Sequence, residues 1–365
     1  MLRDAPVATL MTWSSQLGET TTARRGDATS TGRVVDAFGG RRPRCDDAVG
    51  ATQAVPRSLV ALALRQEGLV SAGQCADASV TAGQRARRVH SGEWRRATHG
   101  VYDLTPTVDR RSDADGRRRR AAWLGMLAHG PTAVAVGSCA LALHGVRGLP
   151  ASIVPEVALP STHPRRVRDG IRVRQFREVE AERFGSRAVS ALVPALAQSV
   201  PELPRDNAIA VLDDVLFRGL LTGQSLDEVR QRVLGRRGSS RCAEWWDLVD
   251  PGAESPLETF ARLQCIDAGV APDRLQVEIR DDDGRFLGRG DLGWQLGGDR
   301  WLIAEIDGRE FHETPDAVLH DRRRQNALLA TGRVELLRFT SADIAARTVI
   351  PTAIRAALTR RPTMP

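Results

Sequence analysis

The sequence predicts a mixed α/β protein built from several units, and three observations carry that prediction. Stretches with helical apolar spacing, opened by Ser/Thr-x-x-Gln or Ser-x-x-Glu capping signals, alternate with short runs of strand period. Between residues 254 and 345 the order reads helix, three strands, helix, strand, which suits a mixed sheet layered with helices. Trp301–Ile306 is apolar at nearly every position, as a strand covered on both faces must be.

With 365 residues the chain can hold two or three domains and a sizeable core. A net charge of +7 favours a polyanionic partner. Every one of the 52 basic residues is arginine, which excludes a catalytic lysine. The five cysteines (Cys45, Cys75, Cys139, Cys242, Cys265) form no Cys-x-x-Cys pair, so neither a zinc site nor a disulfide framework is expected. Reduced thiols in a cytoplasmic protein fit best. No run approaches 18 apolar residues and the N-terminus lacks an apolar signal core, so export and membrane insertion are not expected.

Residues 1–50, rich in Thr, Ser, Gly, Arg and Asp without periodicity, read as a disordered leader. Residues 51–108 read as a small winged helix: an apolar face of Leu59, Leu62 and Ala63, then two helices opened by Ser71-Ala-Gly-Gln74 and Thr81-Ala-Gly-Gln84, then two short strands bent at His99-Gly100. Residues 109–185 form a small α/β unit. Its helix Arg117–His129 ends at Gly130-Pro131, Ser138 opens a second helix, and strands at Val154–Leu159 and Ile171–Phe176 flank an Arg165-Arg166 turn. Residues 186–250 read as a helical connector, with a capping box at Ser225-Leu-Asp-Glu228. Residues 251–350 form the last domain. Ser255-Pro256-Leu-Glu258 opens its first helix, Asp281-Asp-Asp-Gly284 joins two strands, Val334–Phe339 is the fourth strand and Ser341 caps a closing helix. Residues 351–365 read as a tail.

Charge divides unevenly. Residues 81–120 hold 11 arginines against 5 acids, and residues 254–310 hold 7 arginines against 13 acids. A basic front and acidic back suit a chain that grips a phosphate backbone with one part and binds cations with another.

The most specific stretch is Glu305-Ile-Asp307-Gly-Arg-Glu-Phe-His312, with Asp291 on the preceding strand and Glu258 on the helix before it. If the two strands are neighbours, Asp291 and Glu305 meet at one sheet edge. Two or three oxygen ligands with open positions suit Mg²⁺ or Mn²⁺. His312 could serve as general base or acid, and Asp307 could ligate the cation or orient a water. Each residue also has a structural explanation except Glu305, whose carboxylate lies within Leu-Ile-Ala-Glu-Ile and needs a partner to offset burial.

At these positions the chain resembles the very-short-patch-repair-like endonuclease domain of the PD-(D/E)XK superfamily. The residues that carry the likeness are Ser-Pro-Leu-Glu258, Gly-Arg-Gly-Asp291, Glu305-Ile-Asp-Gly308, His312 and Asp321-Arg-Arg-Arg324, within roughly residues 254–345. The resemblance implies a restriction-endonuclease-like mixed sheet flanked by helices. It makes Asp291 and Glu305 the metal ligands, with Glu258, Asp307 and His312 completing the catalytic set. Asp307 stands where the superfamily has lysine, and where mismatch-nicking relatives have the first histidine of His-Gly-x-x-x-His, which puts mismatch specificity in doubt.

In the front part, the helix opened at Thr81 presents Gln84, Arg85 and Arg88 in the half that contacts base edges in a recognition helix, and Arg95 and Arg96 start the wing. This stretch resembles the winged helix of AbiEi-type antitoxins, and Ser138-Cys-Ala-Leu-Ala-Leu-His-Gly145 with Gly148-Leu-Pro150 resembles the part that follows it there. Two functions follow as expectations. One is a Mg²⁺-dependent DNA endonuclease whose front domain holds duplex DNA. The other is an AbiEi-like transcriptional regulator with a catalytically inactive nuclease fold, whose protein partner is a toxin or a second copy of the chain.

Overall fold

The computed structural model describes the backbone of residues 9–12 and, with side chains, residues 54–106, 113–160, 170–176, 178–307 and 325–360. Within them the chain is a mixed α/β protein with three sheets. In the stretch read as a leader, β1 (Thr9–Thr12) forms an edge strand.

The first unit runs α1 (Arg57–Arg65), β2 (Leu69–Ser71), α2 (Ala72–Asp77), α3 (Ala82–His90), β3 (Arg95–Thr98) and β4 (Val101–Asp103), its sheet ordered β2-β4-β3. Both capping boxes form. Ser71 and Thr81 cap α2 and α3, and the Gln74 and Gln84 side chains bond back to the cap amides.

The second unit contains α4 (Ala114–His129), β5 (Val134–Ala135), α5 (Gly137–Leu143), β6 (Glu156–Leu159), β7 (Arg172–Gln175), β8 (Glu178–Phe184) and β9 (Arg187–Ser190). Its sheet order is β1-β8-β9-β5-β6-β7. The boundary read at residue 185 falls inside the β8–β9 hairpin, where Gly185 turns the chain at φ 62. Ser138 does not cap α5; Val136 stands at the cap position and makes no side-chain bond. The Arg165-Arg166 turn lies outside the described residues.

Three helices follow: α6 (Leu192–Ser199), α7 (Arg205–Phe217) and α8 (Gly223–Val233). α8 starts three residues earlier than Ser225 suggested, because the Thr222 hydroxyl accepts from the Ser225 amide at 3.2 Å and takes the cap. One apolar core unites all three parts: Leu69 and Val101, Trp123, Met126 and Val157, and Leu196, Ile209 and Leu212 belong to a single cluster. Arginines on the first turns of α4 dock the first unit, Arg119 on Glu67 and Arg120 on Asp103, both at 2.7 Å. They serve packing, not a basic surface.

The C-terminal domain runs α9 (Pro256–Asp267), β10 (Arg274–Arg280), β11 (Phe286–Gly297), β12 (Arg300–Asp307), a helix α10 over residues 325–330, β13 (Val334–Thr340), α11 (Ser341–Ala345) and α12 (Val349–Thr359). The order β10-β11-β12-β13 makes β12 central, antiparallel to β11 and parallel to β13. One face packs Leu292, Trp294, Leu302 and Ala304 under α9 and α12. The other packs Val277, Ile279 and Ile303 with Leu328 of α10. Two expectations need correction here. Thr340, one residue before Ser341, caps α11, with Asp343 completing the box. Residues 351–359, read as part of a tail, continue α12, and its Ile350 and Ile354 are wholly buried in the sheet's first face. Among the described residues no helix is long and apolar enough to cross a membrane.

Candidate functional site

The site begins where two strands lose their regularity at one level. β11 and β12 pair backbone to backbone from Leu292↔Ala304 onward. One step beyond, a side chain takes over: Asp291 Oδ2 accepts from the Ile306 N–H at 2.8 Å. Across β10, Leu275 pairs with Leu292 and Val277 with Gly290, which puts Gln276 level with Asp291. Leu275 packs on the α9 face and Val277 on the α10 face. Residues two apart share a face in a regular strand, so β10 turns over between them. Gln276 makes the turn with a left-handed backbone, φ 52. β11 does the same opposite it. Leu292 packs on the α9 face, while a Cβ added to Gly290 would stand 2.2 Å from Ile303 Cγ2 on the other.

Helix α9 delivers the next carboxylate. Ser255 caps it by accepting from the Glu258 N–H at 3.2 Å, with Pro256 at the first helical position. The Glu258 carboxylate does not close a reciprocal box. It accepts instead from the Glu254 N–H and from Gln276 Nε2, both at 2.9 Å. Burial pushes the Glu258 carboxyl above the usual range, with the Glu254 amide and Ser255 hydroxyl opposing. At Asp291, burial lifts the carboxyl to about 7; the Ile306 amide opposes, and the charges of Glu258, Glu305 and Glu254 add to the rise. Glu305 is 7% exposed. Of the five residues expected to act in catalysis, Glu258, Asp291 and Glu305 are thus brought into one electrostatic neighbourhood.

Asp307 departs from its expected role. The parallel register sets Arg338 of β13 beside Glu305. The Arg338 guanidinium donates to both Asp307 oxygens, through Nε and Nη2, at 3.0 Å. Its Nε also lies 3.6 Å from Glu305 Oε2. A carboxylate engaged in this fork is a guanidinium anchor, not an open ligand or water-orienting group. His312 and Asp321–Arg324 lie outside the described residues.

The residues fit a small divalent cation in its sparsest form. Asp291 and Glu305 are hard oxygen donors on adjacent strands, and burial first, then the charges of neighbouring acids, raise Asp291, both of which a cation would offset. Among the described residues no three Asp, Glu, His or Cys side chains converge on one metal position. Mg²⁺ is satisfied by one or two carboxylates plus waters and substrate oxygens. Gln276 and Arg338 escape sequence reasoning, because only strand register shows what they face, and Glu254 because only the folded start of α9 brings its amide to Glu258.

The first unit corrects most of the expected nucleic-acid contacts. Gln84 Oε1 is committed to the Thr81 N–H at 2.8 Å. Arg85 bonds the Val80 carbonyl at 2.9 Å and lies 5.7 Å from the Tyr102 ring centroid. Arg88 is buried, pairs with Glu93 and covers the Trp94 ring at 5.5 Å. Arg85 and Arg88 hold the unit together. What α3 exposes is Ala82, Gly83, Ala86, Arg87 and His90. Arg95 and Arg96 on β3 are exposed as expected. Arg95 pairs with Asp103 at 3.2 Å and Arg96 Nη2 meets His99 Nδ1 at 2.8 Å.

No protein-family model matches the chain. Two curated relatives from Mycobacterium tuberculosis are similar to it: "Uncharacterized protein MT2308" of strain CDC 1551 / Oshkosh and "Uncharacterized protein Rv2248" of strain ATCC 25618 / H37Rv. Each is 29% identical over 163 residues, which is 45% of this chain and 59% of the relative. The chain therefore spans less than two thirds of the length of these relatives, and neither name states an activity.

Proposed function

We propose that this chain is a DNA-binding protein whose C-terminal domain is a metal-dependent endonuclease, hydrolysing DNA phosphodiester bonds in defence or repair. The observation that carries the reading is that Asp291 and Glu305 stand at one level on adjacent strands; burial lifts the Asp291 carboxyl to about 7, and the charges of Glu258, Glu305 and Glu254 add to the rise. Amides meet one oxygen each of Asp291 and Glu258, and Arg289 pairs with Glu254 at 2.6 Å, which leaves Asp291 and Glu305 as two hard oxygen donors at one level of adjacent strands. Asp291 and Glu305 would hold Mg²⁺ or Mn²⁺, which supplies a water of lowered pKa and polarises the phosphodiester. Asp291, tied to the Ile306 amide, keeps its second oxygen for the cation. Glu258, held by two donors, contributes negative charge from the α9 side. His312 is assigned proton transfer. Duplex DNA is the proposed partner, with Arg87, Arg95 and Arg96 meeting phosphates, and the cytoplasm is the proposed location.

A second reading is an AbiEi-like regulator with a non-cleaving nuclease fold, acting with a toxin or a second copy. The Arg338 guanidinium, 3.6 Å from Glu305 and clamped on Asp307, favours it. Nicking of supercoiled plasmid by purified protein separates the two. Cleavage with Mg²⁺ or Mn²⁺ that vanishes in EDTA and in Asp291→Ala supports the enzyme. Salt-sensitive DNA binding without cleavage supports the regulator.

A further inference from the structure

We propose that Gln276 is a positioning residue of the carboxylate cluster, holding Glu258 in place for a divalent cation bound by Asp291 and Glu305. The inference rests on the cation-binding reading above and assigns a role to a residue outside the expected catalytic set.

Three observations converge on it. Gln276 is one of four non-glycine residues with positive φ among those described, the others being Glu67, Ser79 and Arg347, and it alone lies within a strand. A side chain bearing a Cβ is strained in the left-handed region, and glutamine has no local hydrogen bond to offset the strain as Asn or Asp does. Such strain persists where the surroundings enforce it. Here the surroundings are the site itself, because Gln276 stands level with Asp291 at the point where β10 turns over. The turn aims its amide out of the ladder and onto α9, where Nε2 donates to Glu258 Oε2 at 2.9 Å. With the Glu254 N–H at 2.9 Å on the same oxygen, this fixes that oxygen's position from two sides.

A glycine would hold the same backbone more easily and a valine would suit a regular strand better. Glutamine at this φ meets one demand that neither meets, which is a donor long enough to reach the helix. Outer partners of this kind fix the charged groups around a bound cation and tune its affinity.

The test uses the full chain, with Gln276→Ala and Gln276→Gly. Both lose the amide, but only glycine relieves the backbone. Mn²⁺ affinity is measured by titration calorimetry and thermal stability without metal. Both variants are expected to bind Mn²⁺ about tenfold more weakly or worse. Gln276→Gly is expected to melt above Gln276→Ala, the reverse of the usual order in a strand. Wild-type Mn²⁺ affinity in both variants overturns the positioning role while leaving the cation site standing. Gln276→Gly melting below Gln276→Ala overturns the enforced left-handed backbone. Failure of the wild-type chain to bind Mn²⁺ overturns the cation site and this inference with it.

Discussion

Arg338 and Asp307 form a two-bond fork, Nε and Nη2 each 3.0 Å from a separate carboxylate oxygen, on strands that run parallel. The fork holds the guanidinium 3.6 Å from Glu305 instead of directly upon it. Arg338 would therefore compete with the proposed cation for Glu305, and Asp307 would restrain the competition. Arg338→Gln is expected to raise Mn²⁺ affinity on the order of tenfold at low ionic strength, since a unit charge at this range is worth about 1–4 kcal/mol. Asp307→Asn is expected to lower it, because the released guanidinium can then pair fully with Glu305. Calorimetric titration of the two variants checks both signs; equal affinities would separate Arg338 from the site.

Asp291 sets the pH dependence. Its folded carboxyl is raised to about 7 from an ordinary value of 3.8, so the folded state holds a proton that the unfolded state has released. Without metal, its contribution to stability is full below pH 3.8 and is lost as pH rises through about 7. In EDTA, Asp291→Asn should therefore melt above the wild type at pH 8, with the gain fading toward pH 5. Cation binding runs the other way. Protons and Mn²⁺ compete for the same carboxylate, so wild-type affinity should climb between pH 6 and 8. A flat affinity profile over that range would place the cation elsewhere.

Much of the C-terminal fold is legible in the sequence, and the level of the site is not. Strands β10 to β13 announce themselves by their residue types. The Asp281-Asp-Asp-Gly284 turn does so by chemistry, since Asp281 Oδ1 accepts from the Asp283 and Arg285 amides at 3.1 and 2.8 Å. Glu305 is legible because a carboxylate in an apolar stretch needs a reason, and Asp291 and Glu258 through their place in the motif order around it. Which residues stand level with them is a matter of register, and a glutamine at φ 52 carries no local signal. The arginines of α3 mislead for a related reason. A helix with Arg85, Arg87 and Arg88 looks the same whether a guanidinium faces water or covers Trp94, and the aromatic just before the following strand decides. The tail reading of residues 351–365 underrates Ile354, which at helical spacing from Ile350 is sufficient to close the core.

A buried ion pair joins the C-terminal domain to the rest of the chain. Asp213 of α7, 1% exposed, accepts from Arg262 Nη2 at 2.9 Å, from the Thr259 hydroxyl at 2.8 Å and from the Asp250 amide at 2.8 Å. Burial nonetheless lifts its carboxyl to about 6, against the pull of Arg262. Arg262 Nε has no hydrogen-bond partner among the described residues, so the pair is incompletely compensated there. Asp213→Ala should destabilise the protein by about 3–5 kcal/mol, because it strands the guanidinium. Asp213→Leu combined with Arg262→Met should recover most of that loss. Denaturant unfolding of the single and double variants tests this, and an Asp213→Ala loss near zero would show that water reaches the pair.

Gly290 is required by packing. A Cβ there would stand 2.2 Å from Ile303 Cγ2 and 3.2 Å from Cδ1, at the level where β11 changes face. Gly290→Ala should cost about 1–3 kcal/mol by overpacking. Ile303→Val retains a Cγ2 branch and should not rescue it, whereas Ile303→Ala should recover part of the loss, giving a coupled double-mutant cycle. Additive losses would mean that the strands separate to admit the methyl group.

The first unit separates structural from exposed arginines, and DNA binding should follow that division. Arg88 is 6% exposed and lies over Trp94, so Arg88→Ala should lower stability by about 1–2 kcal/mol through lost packing and cation–π contact. Arg95 and Arg96 are exposed and carry little of the fold. If they meet phosphates, Arg95→Ala and Arg96→Ala should each weaken duplex binding similarly across sequences, and each should reduce the slope of log affinity against log salt by about 1. Fluorescence anisotropy with two unrelated duplexes over a salt series measures both quantities. A slope unchanged in the double variant, with the fold intact by circular dichroism, would remove β3 from the DNA interface. It would leave Arg87 and His90, beside the small side chains of Ala82, Gly83 and Ala86, as the surface that a groove could approach.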